Sequence, residues 1–458
     1  MFTKLTHRLW EAREGLDRFA RQSPARLALG VFAGVIALFT MLLSLPIATA
    51  SGQRAPFVDS LFTATSAVCV TGLVTVPTGV FWSSFGHVVI LIAIKIGGLG
   101  VMTLASILGM VVSRRIGLTQ KLLTASETKT TRLGEVGSLI KVVIITSTTL
   151  ELLVALLLIP RLLVLHESVG TALWHSLFYA ISAFNNAGFV PSEAGLLPYS
   201  SDWLVLVPIL LGVFIGSLGF PVILNLARRR FSFRRWTLHA QLTVVTSLVL
   251  LVAGSLLLLL LEWGNRATIG ALSWSEKLLH ALMFGVMPRS GGFSTVEVSD
   301  MNDSSLLVTD ALMFVGGGSA STAGGIKVTT LAVLMIAIVA EARGDRDMDV
   351  FKRRVPLDTL RLAIAVLMIG ALIVFVSTLT LLQLTGFSFT EVLFESISAF
   401  ATVGLSTGIT SEFPDSGKYV LIVLMFIGRV GTMTLAAALA LRERRRMFRF
   451  PEERPIIG

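Results

Sequence analysis

The sequence predicts an all-α membrane protein of eight transmembrane helices, laid out as four tandem repeats of span, short helix, glycine-ended loop and span. Three observations predict it. Hydrophobic residues fill 54% of the 458 positions and charged ones only 14%, with a mean hydropathy of +0.81; a soluble chain of that balance would expose apolar patches and aggregate. Apolar runs long enough to cross ~30 Å of hydrocarbon, roughly 20 residues each, recur along the chain. A short turn of one type occurs four times, as Val70-Thr71-Gly72-Leu73, Asn186-Ala187-Gly188-Phe189, Ser290-Gly291-Gly292-Phe293 and Thr402-Val403-Gly404-Leu405. Its closing glycines are 116, 104 and 112 residues apart.

The elements follow in order. Residues 1–26 are basic and polar and form an N-terminal segment. The run Leu27 to Ala48 exceeds a signal-peptide core and lacks a small-residue cleavage site, so it reads as a retained first span. Further spans fall near 86–112, 138–165, 203–227, 238–262, 307–340, 360–384 and 418–441. The repeats occupy 27–112, 113–227, 228–340 (with a broken second helix) and 341–441, and 442–458 is a tail. Inside each pair lies a semi-polar stretch, at 57–73, 172–189, 276–293 and 390–405, too short to cross and return as two helices. A half-crossing helix and an extended loop fit that length. Non-helical backbone at such depth survives where it lines a watery cavity.

Charge sets the orientation. Of the 38 Lys and Arg residues, 29 fall before residue 27, in the connections 113–141, 228–235 and 341–361, or after Leu441. If all eight spans cross, those segments share one face, and the excess of positive charge puts that face and both termini in the cytoplasm. The net charge of +10 is thereby explained without a nucleic-acid role. The other face carries Asp59, Glu167, Glu193, Asp202, Glu297, Asp300, Asp303, Asp310, Glu412 and Asp415. An acidic vestibule of this kind attracts cations. Cys69 is the single cysteine, so no internal disulfide forms, and the six histidines make no close ligand set.

The turns supply the chemistry. A dehydrated monovalent cation needs several oxygen dipoles at close range, and backbone carbonyls provide them without a fixed counter-charge. Turning consecutive carbonyls toward an axis demands angles that glycine adopts at little cost. The predicted ion-binding backbone comprises Val70, Thr71 and Gly72; Asn185, Asn186, Ala187 and Gly188; Ser290, Gly291 and Gly292; and Thr402, Val403 and Gly404. Four such loops converging pseudo-fourfold on a central pore would form an ion filter within one polypeptide. Thr402-Val403-Gly404 comes nearest to the TVGYG filter of potassium channels. The upstream register repeats as well. Phe62, Phe178 and Phe394 lie ten residues before the closing glycine, and Ser66, Ser182 and Ser398 lie six before it; the third repeat has Leu282 and Val286 instead.

On these stretches, with Leu61-Phe-Thr-Ala-Thr-Ser-Ala, Ile181-Ser-Ala-Phe-Asn-Asn-Ala-Gly188, Ile397-Ser-Ala-Phe-Ala-Thr-Val-Gly404 and Ile427-Gly-Arg429-Val-Gly, the chain resembles the Trk/Ktr/HKT superfamily of potassium transporters from about residue 27 to its end. Eight spans without an extra N-terminal pair make it most similar to the membrane subunit of bacterial Ktr systems. The resemblance implies a homodimer with one pore per protomer in the bacterial inner membrane. It also implies a cytosolic nucleotide-binding ring of the KtrA (RCK) type as regulator, and K⁺ uptake often promoted by Na⁺. A Trk-type or sodium-permeable transporter is the alternative within the superfamily. This sequence departs from the family at Pro288 and Ser290-Gly291 in the third filter and at Cys69 before the first.

Gly316, Gly317, Gly318, Ser319, Ser321, Thr322, Gly324, Gly325 and Lys327 interrupt the run 307–340. Five glycines would each cost a helix roughly 0.5–1 kcal/mol, so the helix breaks here. Close helix packing through small residues is one reading. A loop beneath the filter that blocks the pore is the other, and the resemblance supports it, since family members carry an intramembrane loop at this place. A phosphate-binding loop fails on Walker spacing. Arg429, inside the last span, costs at least ~2.5 kcal/mol on insertion scales and needs carbonyls or water; it is expected to face the pore as part of the gate or to cap loop carbonyls. Lys95, Glu151 and Glu395 are also intramembrane, with no partners evident. An enzyme is disfavoured, because His-Glu-x-x-His, Gly-x-Ser-x-Gly and an aspartate pair in a span are all absent, and no organic-cofactor motif is present. A carrier of larger solutes with broken helices at a midplane site is the rival within transport.

Overall fold

A computed structural model describes residues 24–100, 136–165, 168–229 and 232–431. Nearly all of their regular structure is helical. The first repeat holds α1 (Pro24–Leu43), α2 (Phe57–Cys69) and α3 (Ser84–Gly98). The second holds α4 (Val136–Val164), α5 (Val169–Phe184), α6 (Trp203–Leu218) and α7 (Phe220–Arg229). The third holds α8 (Leu238–Glu262), α9 (Trp274–Val286), α10 (Asp303–Phe314) and α11 (Val328–Arg343). A two-stranded antiparallel hairpin, β1 (Met348–Val350) and β2 (Arg353–Val355), leads into the fourth, with α12 (Leu357–Leu384), α13 (Phe389–Phe400), α14 (Asp415–Phe426) and a π-helical turn, Ile427–Gly431.

Among the described residues three helices are long and apolar enough to cross a membrane, within α4, α8 and α12, and the pair α6–α7 would be a fourth if counted as one bent span. They shed large apolar side chains outward, among them Leu156, Leu260 and Phe375 at 68%, 71% and 64% exposure, which in water would be untenable and in lipid costs nothing. The helices α2, α5, α9 and α13 have 13, 16, 13 and 12 residues. At ~1.5 Å per residue none is long enough to span ~30 Å. Their starts are fixed by side-chain caps in three cases. Ser168 accepts from Thr171 N at 3.1 Å, and Ser273 with Glu276 and Ser388 with Glu391 form reciprocal capping boxes. Hydrogen bonds from Ser201 first and Ser273 second hold the Glu276 carboxyl down to about 2.

Phe62, Phe178 and Phe394 have no exposed surface and anchor three of these short helices in one large apolar core. The run 203–227, expected as a single span, is instead broken. α6 ends at Leu218 and α7 leaves it at 97°, turning on Gly219 with φ of 93°. Pro221 follows two residues later and removes a helical N–H donor. The break expected in 307–340 lies between Phe314 and Val328. The ends of the expected runs 86–112 and 418–441 and the tail 442–458 lie outside the described residues.

Candidate functional site

The four turns share one backbone. Val70, Asn186, Ser290 and Thr402 take φ of 58°, 59°, 71° and 49°, and two residues later Gly72, Gly188, Gly292 and Gly404 take 96°, 69°, 74° and 93°. Left-handed φ on a β-branched Val70 or Thr402 is an outlier for such residues, and its fourfold recurrence marks a shape that the surroundings impose. Handedness thus alternates along three residues in each turn.

The loops touch in cyclic order. A Cβ on Gly72 would lie 2.5 Å from the Ala187 carbonyl oxygen, and one on Gly188 would lie 2.8 Å from the Gly292 Cα. A Cβ on Gly292 would lie 2.6 Å from the Val403 oxygen, and one on Gly404 would collide with the Thr71 oxygen. Four segments separated by a hundred residues thus close a ring of backbone that admits no side chain.

The serines six residues upstream brace it. Ser66 Oγ accepts from Gly72 N at 3.1 Å and Ser398 Oγ from Gly404 N at 3.2 Å. Ser182 donates to the Phe189 carbonyl at 2.8 Å and Ser398 to that of Leu405 at 2.6 Å. Val286 offers the third loop nothing of the kind. There Ser290 Oγ donates to the Thr402 carbonyl of the adjacent fourth loop at 2.6 Å, and buried Arg289 bonds the carbonyls of Ser247 and Gly285 at 3.0 and 3.3 Å. Gly291 packs against Met287 and Val213, where a Cβ would find no room. Asn185, expected among the ion-facing residues, stands behind its loop, because its amide donates to Glu151 at 2.7 Å and to the Ile181 carbonyl at 2.8 Å.

Beneath the ring lies the break in the third repeat. Gly316 N donates to Ile326 O at 2.8 Å and Val328 N to Gly317 O at 3.1 Å, which closes the segment into a loop. Inside it Ser321 Oγ donates to Gly318 O at 2.6 Å, Lys327 Nζ caps the carbonyls of Ala323 and Gly324 at 2.7 and 3.3 Å, and the hydroxyls of Ser319 and Thr329 lie 3.2 Å apart. The loop rests on three of the four turns. Thr322 Oγ1 donates to Asn186 Oδ1 at 2.7 Å, Gly324 N donates to Ser290 Oγ at 3.3 Å, and Gly324 packs on Ala401 and Thr402 too closely for any side chain, with Gly325 against Ala401. Arg429, 3% exposed, donates to the carbonyls of Thr322 and of Gly97, the latter at 2.8 Å. The π-helical turn that carries it lies against the Phe400 carbonyl through Gly428, whose Cβ would collide there.

Sequence alone assigns no partner to three intramembrane charges, and the fold supplies them. Lys95 Nζ reaches both oxygens of Glu151, at 2.7 and 2.6 Å, and the hydroxyl of Ser147 at 3.0 Å. Glu395, fully buried, accepts from Ser406 and Thr410 at 2.6 and 2.7 Å and from Thr407 N at 3.0 Å, so it organises the segment after the fourth turn. Three expected vestibule acids are otherwise engaged. Asp59 bonds Lys418 at 2.9 Å, Asp202 bonds Arg161 at 2.6 Å, and Asp310 is buried in α10. Glu193, Glu297, Asp300, Asp303, Glu412 and Asp415 are exposed as expected, while Glu167 lies outside the described residues.

Residues 31–449 match the family model described as TrkH, cation transport protein. The chain is 37% identical over 435 residues to the Ktr system potassium uptake protein B of Bacillus subtilis, covering 95% of this chain and 96% of that one. It is 32% identical over 451 residues to the potassium/sodium uptake protein NtpJ of Enterococcus hirae, covering 96% and 98%. Among solved structures, the potassium transporter TrkH of Vibrio parahaemolyticus aligns over 89% of this chain and 84% of its own with a TM-score of 0.66; at 17% identity this likeness shows the fold alone.

Proposed function

The chain belongs to the TrkH family of cation transport proteins, is a multi-pass membrane protein, and on that premise we propose that it carries K⁺ into the bacterial cell through the ring of four turns. One observation carries the reading. The same pair of left-handed residues, two apart, recurs in four loops that touch in cyclic order and leave no room for a side chain between them, which supports a lining of backbone oxygens. Such a lining replaces hydration water around a monovalent cation without a fixed negative charge to trap it. Eight spans arranged pseudo-fourfold about this ring put the basic connections and both termini in the cytoplasm and the exposed carboxylates at the outer mouth. The 316–327 loop then lies across the path on the inner side, and Arg429 both pins it and opposes a dehydrated cation in a medium of low dielectric. The family's homodimer and its cytosolic nucleotide-binding ring complete the proposal, with the ring acting on the gate.

The name of the Enterococcus relative includes sodium, which favours a second reading in which Na⁺ also passes or promotes transport. Flux of radioactive rubidium and of sodium into liposomes holding the purified protein tests both. Rubidium uptake that excludes sodium supports a potassium filter, equal uptake supports the second reading, and no cation flux overturns the proposal.

A further inference from the structure

The bend at Gly219 and the 316–327 loop are interlocked. Gly318 N donates to the Ser217 carbonyl at 2.7 Å, and Phe220 N donates to the Ala320 carbonyl at 3.2 Å, so backbone bonds flank the bend on both sides. A Cβ on Gly219 would lie 2.6 Å from the Ser319 oxygen, and one on Gly317 would lie 2.6 Å from the Ser217 oxygen. Both partners are held away from relaxed backbone, Gly219 at φ of 93° and Ala320 at 55°. The end of α6 would ordinarily leave its last carbonyls, and the start of α7 its first N–H groups, to water or caps. Here the loop supplies a donor to one and an acceptor to the other.

The arms of the bend differ in what they touch. Within α6, Val213 O accepts from Asn186 of the second turn at 3.3 Å, which ties that arm to the ring. α7 packs through Val222 and Leu226 on Trp236, Ala240 and Val244, and ends in the exposed Arg228 and Arg229. The Phe220 ring sits 6.4 Å from that of Phe184, whose carbonyl receives Thr322 of the loop at 3.3 Å.

We propose that the Gly219 elbow is the latch of the 316–327 loop, so that the loop leaves its closed position only together with α7. The inference rests on the reading of that loop as the gate. It makes α7 a lever whose basic end lies outside the membrane interior, and it makes Gly219 a positioning residue rather than one that meets the ion. A side chain at 219 pushes on Ser319 and loads a left-handed backbone, and both effects act against the latched state.

The test uses the full chain in liposomes. Gly219→Ala is expected to raise basal rubidium flux roughly tenfold, the population shift for one strained contact. Gly52→Ala carries a similar strain, at φ of 71°, where a Cβ meets nothing within 4 Å, and is expected to leave flux unchanged. Spin labels at Arg228→Cys and Leu357→Cys read α7 against α12, since native Cys69 is buried. Their distance distribution is expected to shift in Gly219→Ala and equally in Arg429→Ala. Raised flux in Arg429→Ala with an unshifted distribution means the loop opens alone and overturns the latch. Wild-type flux in well-folded Gly219→Ala, with raised flux in Arg429→Ala, also overturns the latch and keeps the gate. Wild-type flux in both overturns the gate and the latch with it.

Discussion

Arg429 donates to the carbonyl of Thr322, 107 residues away in sequence, while its second terminal nitrogen holds Gly97 at 2.8 Å. One side chain on the fourth repeat therefore joins the loop of the third to the end of α3 in the first. A charge that is expensive inside a bilayer is stabilised here by two backbone carbonyls from different repeats.

If that bond holds the loop across the path, Arg429→Ala and a shortening of Gly316–Gly325 each increase basal potassium uptake without a regulator, by about tenfold for a shift of one closing contact. The two together add little beyond the larger single effect, because they disable one element. Rubidium flux in liposomes at matched protein content measures it, and wild-type or lower flux in well-folded single variants sinks the assignment.

Gly72→Ser and Gly404→Ser put a Cβ against the carbonyls of Ala187 and Thr71. The expected outcome is lost selectivity for potassium over sodium or abolished uptake, with protein still in the membrane. Ser66→Ala and Ser398→Ala act more mildly, since they strand the N–H groups of Gly72 and Gly404, and in Ser398→Ala the Leu405 carbonyl as well, at about 1–3 kcal/mol per buried group. Reversal potentials under mixed potassium and sodium gradients distinguish the cases; unchanged selectivity in both glycine variants rules out the ring as the filter.

Lys95→Met leaves Glu151 buried with only Asn185 as donor, and Glu151→Gln leaves Lys95 with Ser147 and a neutral amide. Each is expected to destabilise the protein by about 3–5 kcal/mol, while the double variant recovers much of the loss. Cys69 is the sole cysteine and fully buried, so a fluorogenic maleimide reports unfolding directly during heating. A double variant no better than the worse single one would show that the pair does not act as a unit.

Neutralising Arg444, Arg445 and Arg446 together is expected to weaken co-purification with a cognate nucleotide-binding regulator, with ion selectivity unchanged. Undiminished co-purification would leave those arginines as orientation signals alone.

The four turns and their short helices are legible in the sequence because each is local, and in three of them Phe and Ser stand at a fixed distance before the closing glycine. The braces made by Ser66, Ser182 and Ser398 are that register seen in three dimensions. The bend at Gly219 is not legible, since apolar residues run through it from 203 to 227; Pro221 just beyond is the available signal. Partners of the buried charges are out of reach for another reason. Lys95 and Glu151 are 56 residues apart on different repeats, and nothing in either neighbourhood names the other. Asp59 reads as a vestibule charge in sequence because its neutralising Lys418 is 359 residues away, on the fourth repeat. Asn185 looks like part of the turn beside it, yet its side chain serves the helix contact behind.

The ring closes between loops of one polypeptide, and its four quarters are unlike, the third bonding Ser290 to the neighbouring loop where the others are braced by a serine of their own short helix. Translation itself then fixes the stoichiometry, so mixed rings cannot arise within a protomer and no subunit exchange can dilute a defect. Each codon change alters one quarter only, which lets selection adjust affinity in small steps where a four-copy pore would change at four places at once.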